Sequence, residues 1–306
     1  MPRQDLIHFA RLAHQVAEQH LPPYGSKFSP KKFTQPSLLA CLCIKEYLKL
    51  DYRGLETLLT SASELRGALK LKHVPDHSML HWFARNKIRP HHLNRILKTA
   101  ARLIPSRRNG WHVMALDATG LSRSLASRYY VSKLTHWRHR YLQWSTVVWT
   151  KPRVICAQAA HSGAGSGYRL LRPLVQQTQD VIPLHRLVAD ADYDSEEHHR
   201  WLREDLNIES IIPPFRGRPG RPTKQPYRRR MQRYFPHRKY GQRWMAETVY
   251  SVVKRKFGEA LTAKTYWQQV KQAFLKGVTY NLYRAVQSGV AFCRRFIHRD
   301  LMALAT

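Results

Sequence analysis

Apolar and polar positions divide the chain into two stretches with different periods. Up to about residue 105 the apolar side chains recur at helical spacing. Gln35-Pro36-Ser37 precedes the run LLACLCIKEYLKL, with Pro36 suited to the first turn of a helix. DYRGLETLLTSASELRGALKL carries leucines at 55, 58, 59, 65, 69 and 71, the pattern of two short helices. In VPDHSMLHWFARNKI, Asp76 or Ser78 can cap a helix bearing Met79, Trp82 and Phe83. Short helices with tight turns and nearby basic residues suit a helix-turn-helix-like DNA reader. They suit equally a helical bundle that only packs on the rest of the chain.

Ile104-Pro105-Ser106-Arg107-Arg108-Asn109-Gly110 reads as a boundary of turn formers. Beyond it the pattern becomes strand-like. WHVMALDATG holds a short apolar strand closing at Asp117. WSTVVWT (144–150) and RVICAQAAH (153–161), separated by Lys151-Pro152, predict a hairpin. YRLLRPLVQQTQ (168–179) reads as helix, HRLVADADYD (185–194) as strand, SEEHHRWLREDL as helix and IESIIPP (208–214) as strand. Residues 215–239, rich in Gly, Pro and Arg, read as an irregular basic loop. Tyr240 to about Phe257 predicts a helix, with more helix to the end. Antiparallel pairs followed by alternating strands and helices imply an α/β fold built on a mixed sheet. The expected division is a helical N-terminal domain (1–105), an α/β domain (110–285) and a helical tail (286–306).

Charge changes the picture more than composition does. Apolar residues make up 43% of the 306, ordinary for a globular protein, but 52 Lys and Arg face 20 Asp and Glu, a formal net charge of +32. Such an excess favours a polyanionic partner, and because it runs through the whole chain, nucleic acid is expected rather than a membrane surface. No apolar run approaches the ~20 residues that span a bilayer, and the first residues lack a secretory core. Cys41, Cys43, Cys156 and Cys293 form no CxxC pair and read as core thiols in a reducing compartment, so a cytoplasmic, nucleoid-associated location is expected. His91/His92 and His198/His199 are adjacent pairs that point apart on a helix, better read as solvated surface than as metal ligands.

In a chain with so few acids, their positions carry information. Asp117 stands in LDATGLS and Asp190 in VADADYDS, each at the close of a short apolar strand, where sites gather in such sheets. Asp192 competes with Asp190, as ligand or support, if the strand continues; Asp194 with Ser195 reads as a helix cap. Glu247 lies in RWMAETVYSVVKRKFG. On a helix Tyr240, Arg243, Glu247 and Lys254 fall at about 0, 300, 340 and 320°, one stripe. Alone, that stripe is an ordinary salt-bridged helix face, since Arg243 and Glu247 are i,i+4 partners. Joined to two strand-end aspartates in a basic protein, it points to carboxylates holding divalent ions for phosphodiester chemistry. Arg228, Arg229 and Arg230, with neighbouring arginines and interleaved aromatics in the basic loop, suit contact with DNA.

Tyr240, Arg243, Glu247 and Lys254 reproduce the Y-(2)-R-(3)-E-(6)-K spacing of DDE-type insertion-sequence transposases. LDATGL resembles that family's first-aspartate segment, and LVADADYDSEEHHRWLRE its second-aspartate strand and following helix. IIPPFRGRPGR is similar to its Pro- and Arg-rich stretch, and SLLACLCIKEYLKLDYRGLETLL to its helical N-terminal domain. The resemblance spans roughly residues 33–285. It implies an RNase H-like catalytic domain in which Asp117, Asp190 and Glu247 bind two Mg²⁺ or Mn²⁺ ions, while Tyr240, Arg243 and Lys254 contact transposon-end phosphates. It also implies that the nucleic acid is double-stranded DNA, and with it strand cleavage, strand transfer and a homodimer on DNA. A catalytically inactive DNA-binding protein on the same fold, or a simple metal-dependent nuclease, are the alternatives.

Overall fold

The computed structural model describes residues 3–104, 110–123, 141–163, 167–214 and 224–289. Six helices come first: α1 (Arg3–Glu18), α2 (Gln35–Leu48), α3 (Tyr52–Ser61), α4 (Ser63–Ala68), α5 (His77–Asn86) and α6 (Pro90–Arg102). Their starts follow local chemistry. Thr34 caps α2 by accepting from the Ser37 amide, Asp51 caps α3 through Gly54, and Asp76 caps α5 through Met79 at 2.8 Å. Helix α2 is apolar nearly all round and is buried nearly all round, the fate expected of such a helix.

Five strands follow: β1 (Val113–Ser122), β2 (Tyr141–Trp149), β3 (Val154–Ser162), β4 (Arg186–Ala189) and β5 (Glu209–Ile211). They form one sheet in the order β3-β2-β1-β4-β5. β1, β2 and β3 pair antiparallel, whereas β4 lies parallel to β1, and β5 parallel to β4. Between strands run α7 (Leu171–Gln179) and α8 (Glu196–Arg200), the latter prolonged by a π-helical turn (Trp201–Asp205). After β5 come α9 (Pro226–Arg233), α10 (His237–Tyr240), α11 (Trp244–Phe257) and the long α12 (Tyr266–Gln287). A mixed sheet of this order behind a helical N-terminal region is the RNase H-like α/β arrangement with a helical extension.

Helix α12 joins the two halves, packing on α2 and α6 on one side and on β3 on the other. Asn281 accepts from the Ile155 amide and donates to the carbonyls of Ile155 and Leu97, so one carboxamide ties β3 to α6. Lys276, 2% exposed, pairs with the buried Glu46 of α2 at 3.0 Å, and Lys45 pairs with the same carboxylate at 3.1 Å. Gly277 lies so close to the sheet that a Cβ there would stand 2.4 Å from Gln158 Oε1 and 3.1 Å from Trp144 Cζ2. The apolar core is continuous from Phe9 to Ala285.

Several expectations are corrected. Asp117 does not close its strand: β1 continues five residues further, because β2 supplies ladder partners as far as the pair Ser122–Tyr141. β4 ends at Ala189 instead of running to 194, because the Asp190 side chain accepts from the Ala191 amide and caps a 3₁₀ turn (Ala191–Tyr193). The stretch expected to be an irregular loop contains two helices, α9 and α10; its residues 215–223 lie outside the described residues. His198 and His199 are buried, not solvated, with Nδ1 atoms 2.9 Å from the Tyr193 carbonyl and 2.7 Å from Ser210 Oγ. Cys41, Cys43 and Cys156 are buried free thiols, as expected; Cys293 lies outside the described residues. So do residues 105–109 of the expected boundary and 290–306 of the expected tail.

Candidate active site

Parallel pairing of β1 and β4 sets the first two acids side by side. Leu116 is in register with Ala189, the last pair of that ladder, so Asp117 and Asp190 are each the next residue on neighbouring strands. Residues in register on adjacent strands share a face of the sheet. Asp117 is nearly buried and its Oδ1 accepts from the Ala118 amide at 2.9 Å. Asp190, half-exposed, accepts from the Ala191 amide at 2.6 Å.

Helix α11 brings the third acid. Glu247 lies in its first turn, and the helix packs on β1 and β2. Arg243, in the 3₁₀ turn just before it, forks between two carboxylates, with Nη1 3.0 Å from Asp117 Oδ2 and Nη2 2.6 Å from Glu247 Oε1. The Tyr240 ring lies under the same guanidinium, 5.8 Å from Cζ to the ring centroid, and is braced edge-on by Phe235. The expected single helix from Tyr240 is therefore broken by that turn. Glu247 and Lys254 share α11, while Arg243 reaches the cleft from the segment before it and Tyr240 stands behind that arginine, outside the cleft lining.

Asp117, Asp190, Arg243, Glu247 and Lys254 line one open cleft of about 590 Å³. Its electrostatics are unbalanced. Burial pushes the Asp117 carboxyl up to about 6; the Ala118 amide and Arg243 pull it down, but Asp190 and Glu247 push it up further. The acids do not converge fully: among the described residues, no group of three or more Asp, Glu, His or Cys side chains is placed to hold a metal ion. The Arg243 fork stands between Asp117 and Glu247, and the Glu247 side chain is 55% exposed at the rim.

Tyr250 was not singled out by the sequence. It lies three residues after Glu247, so the helical period was the one available signal. Its buried hydroxyl donates to the Asp117 carbonyl at 2.5 Å and lies 2.9 Å from Thr146 Oγ1, on the residue paired with Asp117 across the β1–β2 ladder. Burial raises its pKa well above 10, so it remains a neutral donor that fixes α11 to β1 at the level of Asp117.

The expected DNA-contacting arginines separate into two kinds. Arg228 turns inward, its Nε 2.8 Å and Nη2 2.7 Å from Asp194 Oδ2. Arg229 and Arg230 are exposed on α9.

A mixed β3-β2-β1-β4-β5 sheet with acids just past the last β1–β4 register pair, beside an acid-bearing helix, defines a class, the RNase H-like α/β proteins with a helical extension. The chain belongs to the transposase DDE domain family, which matches residues 112–282, more than half its length. That match agrees with the insertion-sequence transposases as a family without reaching the finer Y-R-E-K group. No curated protein matches the chain. No helix among the described residues is long and apolar enough to cross a membrane.

Proposed function

We propose that the protein is a transposase that binds transposon-end DNA, cuts it and joins it to a target, with Asp117, Asp190 and Glu247 as the catalytic acids. The observation that carries this reading is that Asp117 and Asp190 each directly follow the last register pair of β1 and β4, Leu116–Ala189, beside a helix whose Glu247 is linked to Asp117 through one arginine. The donor set fits divalent ions. The acids lining the cleft are carboxylates, with no thiol or imidazole among its lining residues, the oxygen ligands that Mg²⁺ or Mn²⁺ prefers. The Asp117 carboxyl is raised first by burial, with Asp190 and Glu247 adding to the rise against the Ala118 amide and Arg243. A cation entering the cleft would therefore favour its ionised form. Asp117 and Asp190 would hold one ion between neighbouring strands, and Glu247 would complete a second site. Bound there, two such ions supply a Lewis acid for the scissile phosphate and lower the pKa of the attacking water or 3′ hydroxyl.

The chain's own residues do the rest. Tyr250 holds the strand at Asp117 against α11, so the acids keep their spacing when charge enters the cleft. The planar Arg243 fork matches a phosphate as well as it matches its present carboxylates, and Lys254 adds a cation to the same cleft. Tyr240 supports the Arg243 guanidinium from below. The net charge of +32 steers and holds both DNAs, and two ends brought together require two copies of the chain.

The test is cleavage of a duplex carrying the element's end with Mg²⁺ or Mn²⁺, comparing wild type with Asp190→Ala and Glu247→Ala. Nicking by wild type, lost in both variants while DNA binding persists, is the expected result. Equal binding and no cutting by all three would overturn it. Strand-transfer products separate a transposase from a nuclease that only cuts.

A further inference from the structure

We infer that α9 is a phosphate-gripping helix indexed to the catalytic acids, with Arg229, Arg230 and Arg233 as its DNA contacts and Asp194 and Glu196 as the positioning residues that hold it. The inference rests on the DNA-processing reading of the cleft.

Its basis is a clamp between two short segments. The Glu196 carboxylate accepts from the first free amides of α9, Tyr227 N at 3.1 Å and Arg228 N at 3.0 Å, an acid placed where a helix N-terminus favours negative charge. Asp194, its side chain fully buried, holds the Arg228 guanidinium through Oδ2, and Arg228 also donates to Gln225 at 2.9 Å. Tyr227 donates to Glu204 at 2.9 Å and stacks near His199, while Met231 is buried. A segment this rich in arginine has no apolar face large enough to fold by itself, so these acids place it.

The clamp is also a ruler. Asp194 and Glu196 follow Asp190 by four and six residues, through the single 3₁₀ turn that Asp190 caps. Two residues beyond the other end of α9, Phe235 braces Tyr240 at a centroid distance of 5.0 Å. The helix is thus tied at one end to the turn that the cleft acid Asp190 caps, and at the other to the tyrosine beneath the cleft arginine Arg243. At about 100° per residue, Arg229, Arg230 and Arg233 fall within an arc of about 100°, with Tyr227 and Met231 opposite. All three arginines are exposed, and none has an ion-pair partner among the described residues. A rigid row of guanidinium groups facing outward, beside a phosphodiester-cutting cleft, suits the backbone of a duplex.

The experiment measures binding of the full chain to a labelled 30-base-pair duplex of random sequence, in EDTA, across a KCl series. Each of Arg229→Gln, Arg230→Gln and Arg233→Gln is expected to lower the slope of log K against log salt by about 0.9. Asp194→Asn and Glu196→Gln are expected to lower it too. That result is diagnostic, because each removes a negative charge and by net charge alone would strengthen binding. Arg228→Lys, which keeps the ion pair, is expected to leave the slope unchanged. Unaltered slopes in the arginine variants, or raised slopes in the acid variants, overturn the inference. Thermal melts check folding, and if Asp194→Asn does not fold, Glu196→Gln and the three arginine variants decide. Wild-type cutting with Mg²⁺ is scored separately. Slopes that respond without cutting sink the transposase reading but keep this surface, and cutting with unresponsive slopes sinks this inference alone.

Discussion

Glu46 and Asp117 are both nearly buried carboxylates beside cations, and they titrate in opposite directions. At the junction of the two halves, burial pushes Glu46 up, but Lys276 and Lys45 together outweigh it and hold the carboxyl below its usual range. In the cleft, burial pushes Asp117 up to about 6, and Arg243 is countered by Asp190 and Glu247. One acid has two cations to itself; the other shares one cation with another acid. The first arrangement is a closed structural contact. The second leaves negative charge unsatisfied at an open surface, a signature of sites that bind cations.

The junction should break hardest. Glu46→Ala leaves Lys45 and Lys276 buried without their shared counter-charge, and chemical denaturation is expected to register a loss of about 3–5 kcal/mol. A loss below about 1 kcal/mol would mean that the lysines find water or other partners, and the contrast with the cleft would weaken.

Acid sharpens the comparison next. His199, fully buried, is pushed down to about 4 by burial first and then by Arg203, so the folded protein resists a proton that the unfolded chain takes near 6.5. Stability from this group is present above pH 6.5 and lost as pH falls towards 4, at most about 3 kcal/mol. Glu46 works in the same direction at lower pH, since its depressed carboxyl loses its pairing when protonated. Denaturant midpoints between pH 7 and 4.5 should fall less in His199→Asn than in wild type; parallel curves would assign the acid sensitivity elsewhere.

At Gly277 the junction is tested by volume. A methyl there meets Gln158, whose carboxamide is held by Trp144 Nε1 and the Phe274 carbonyl, so it cannot swing aside without loss. Gly277→Ala is expected to cost about 1–3 kcal/mol in denaturation and to leave the cleft acids in place. A neutral result would show that α12 can lift from the sheet.

What the sequence made legible follows the range of the forces involved. The β2–β3 hairpin was readable because its turn and its β-rich runs are local, and the cap at Asp76 likewise lies within three residues of its amide. The three proposed acids were singled out by their scarcity, their positions and the family resemblance, and the fold brings all three to one cleft. The length of β1 was hidden, because DATG reads as a turn unless β2 is known to lie beside it. Helix α9 was hidden for the same reason: its arginines argue for a loop until Asp194 and Glu196, some thirty residues earlier, are seen to hold it. Tyr250 reaches Asp117 through a contact across 133 positions, which no local pattern announces.

The smallest effect is the most telling. Asp117→Asn removes a buried charge that two neighbouring acids oppose, and it spares Arg243 for Glu247. In EDTA at pH 7 the variant is expected to be more stable than wild type by about 1 kcal/mol, less than the full shift implies because one ion pair is lost. The sign depends on pH. A carboxyl raised above its unfolded value contributes stability below pH 3.8 and loses it as pH rises through about 6, so the advantage should be largest above pH 6 and vanish towards pH 4. Metal-dependent cutting should be lost in the same variant. A gain in stability with a loss of activity is what a functional charge imbalance requires. Destabilisation at pH 7 would instead make Asp117–Arg243 a second Glu46–Lys276, a contact that holds the fold together, and the cleft would need other acids.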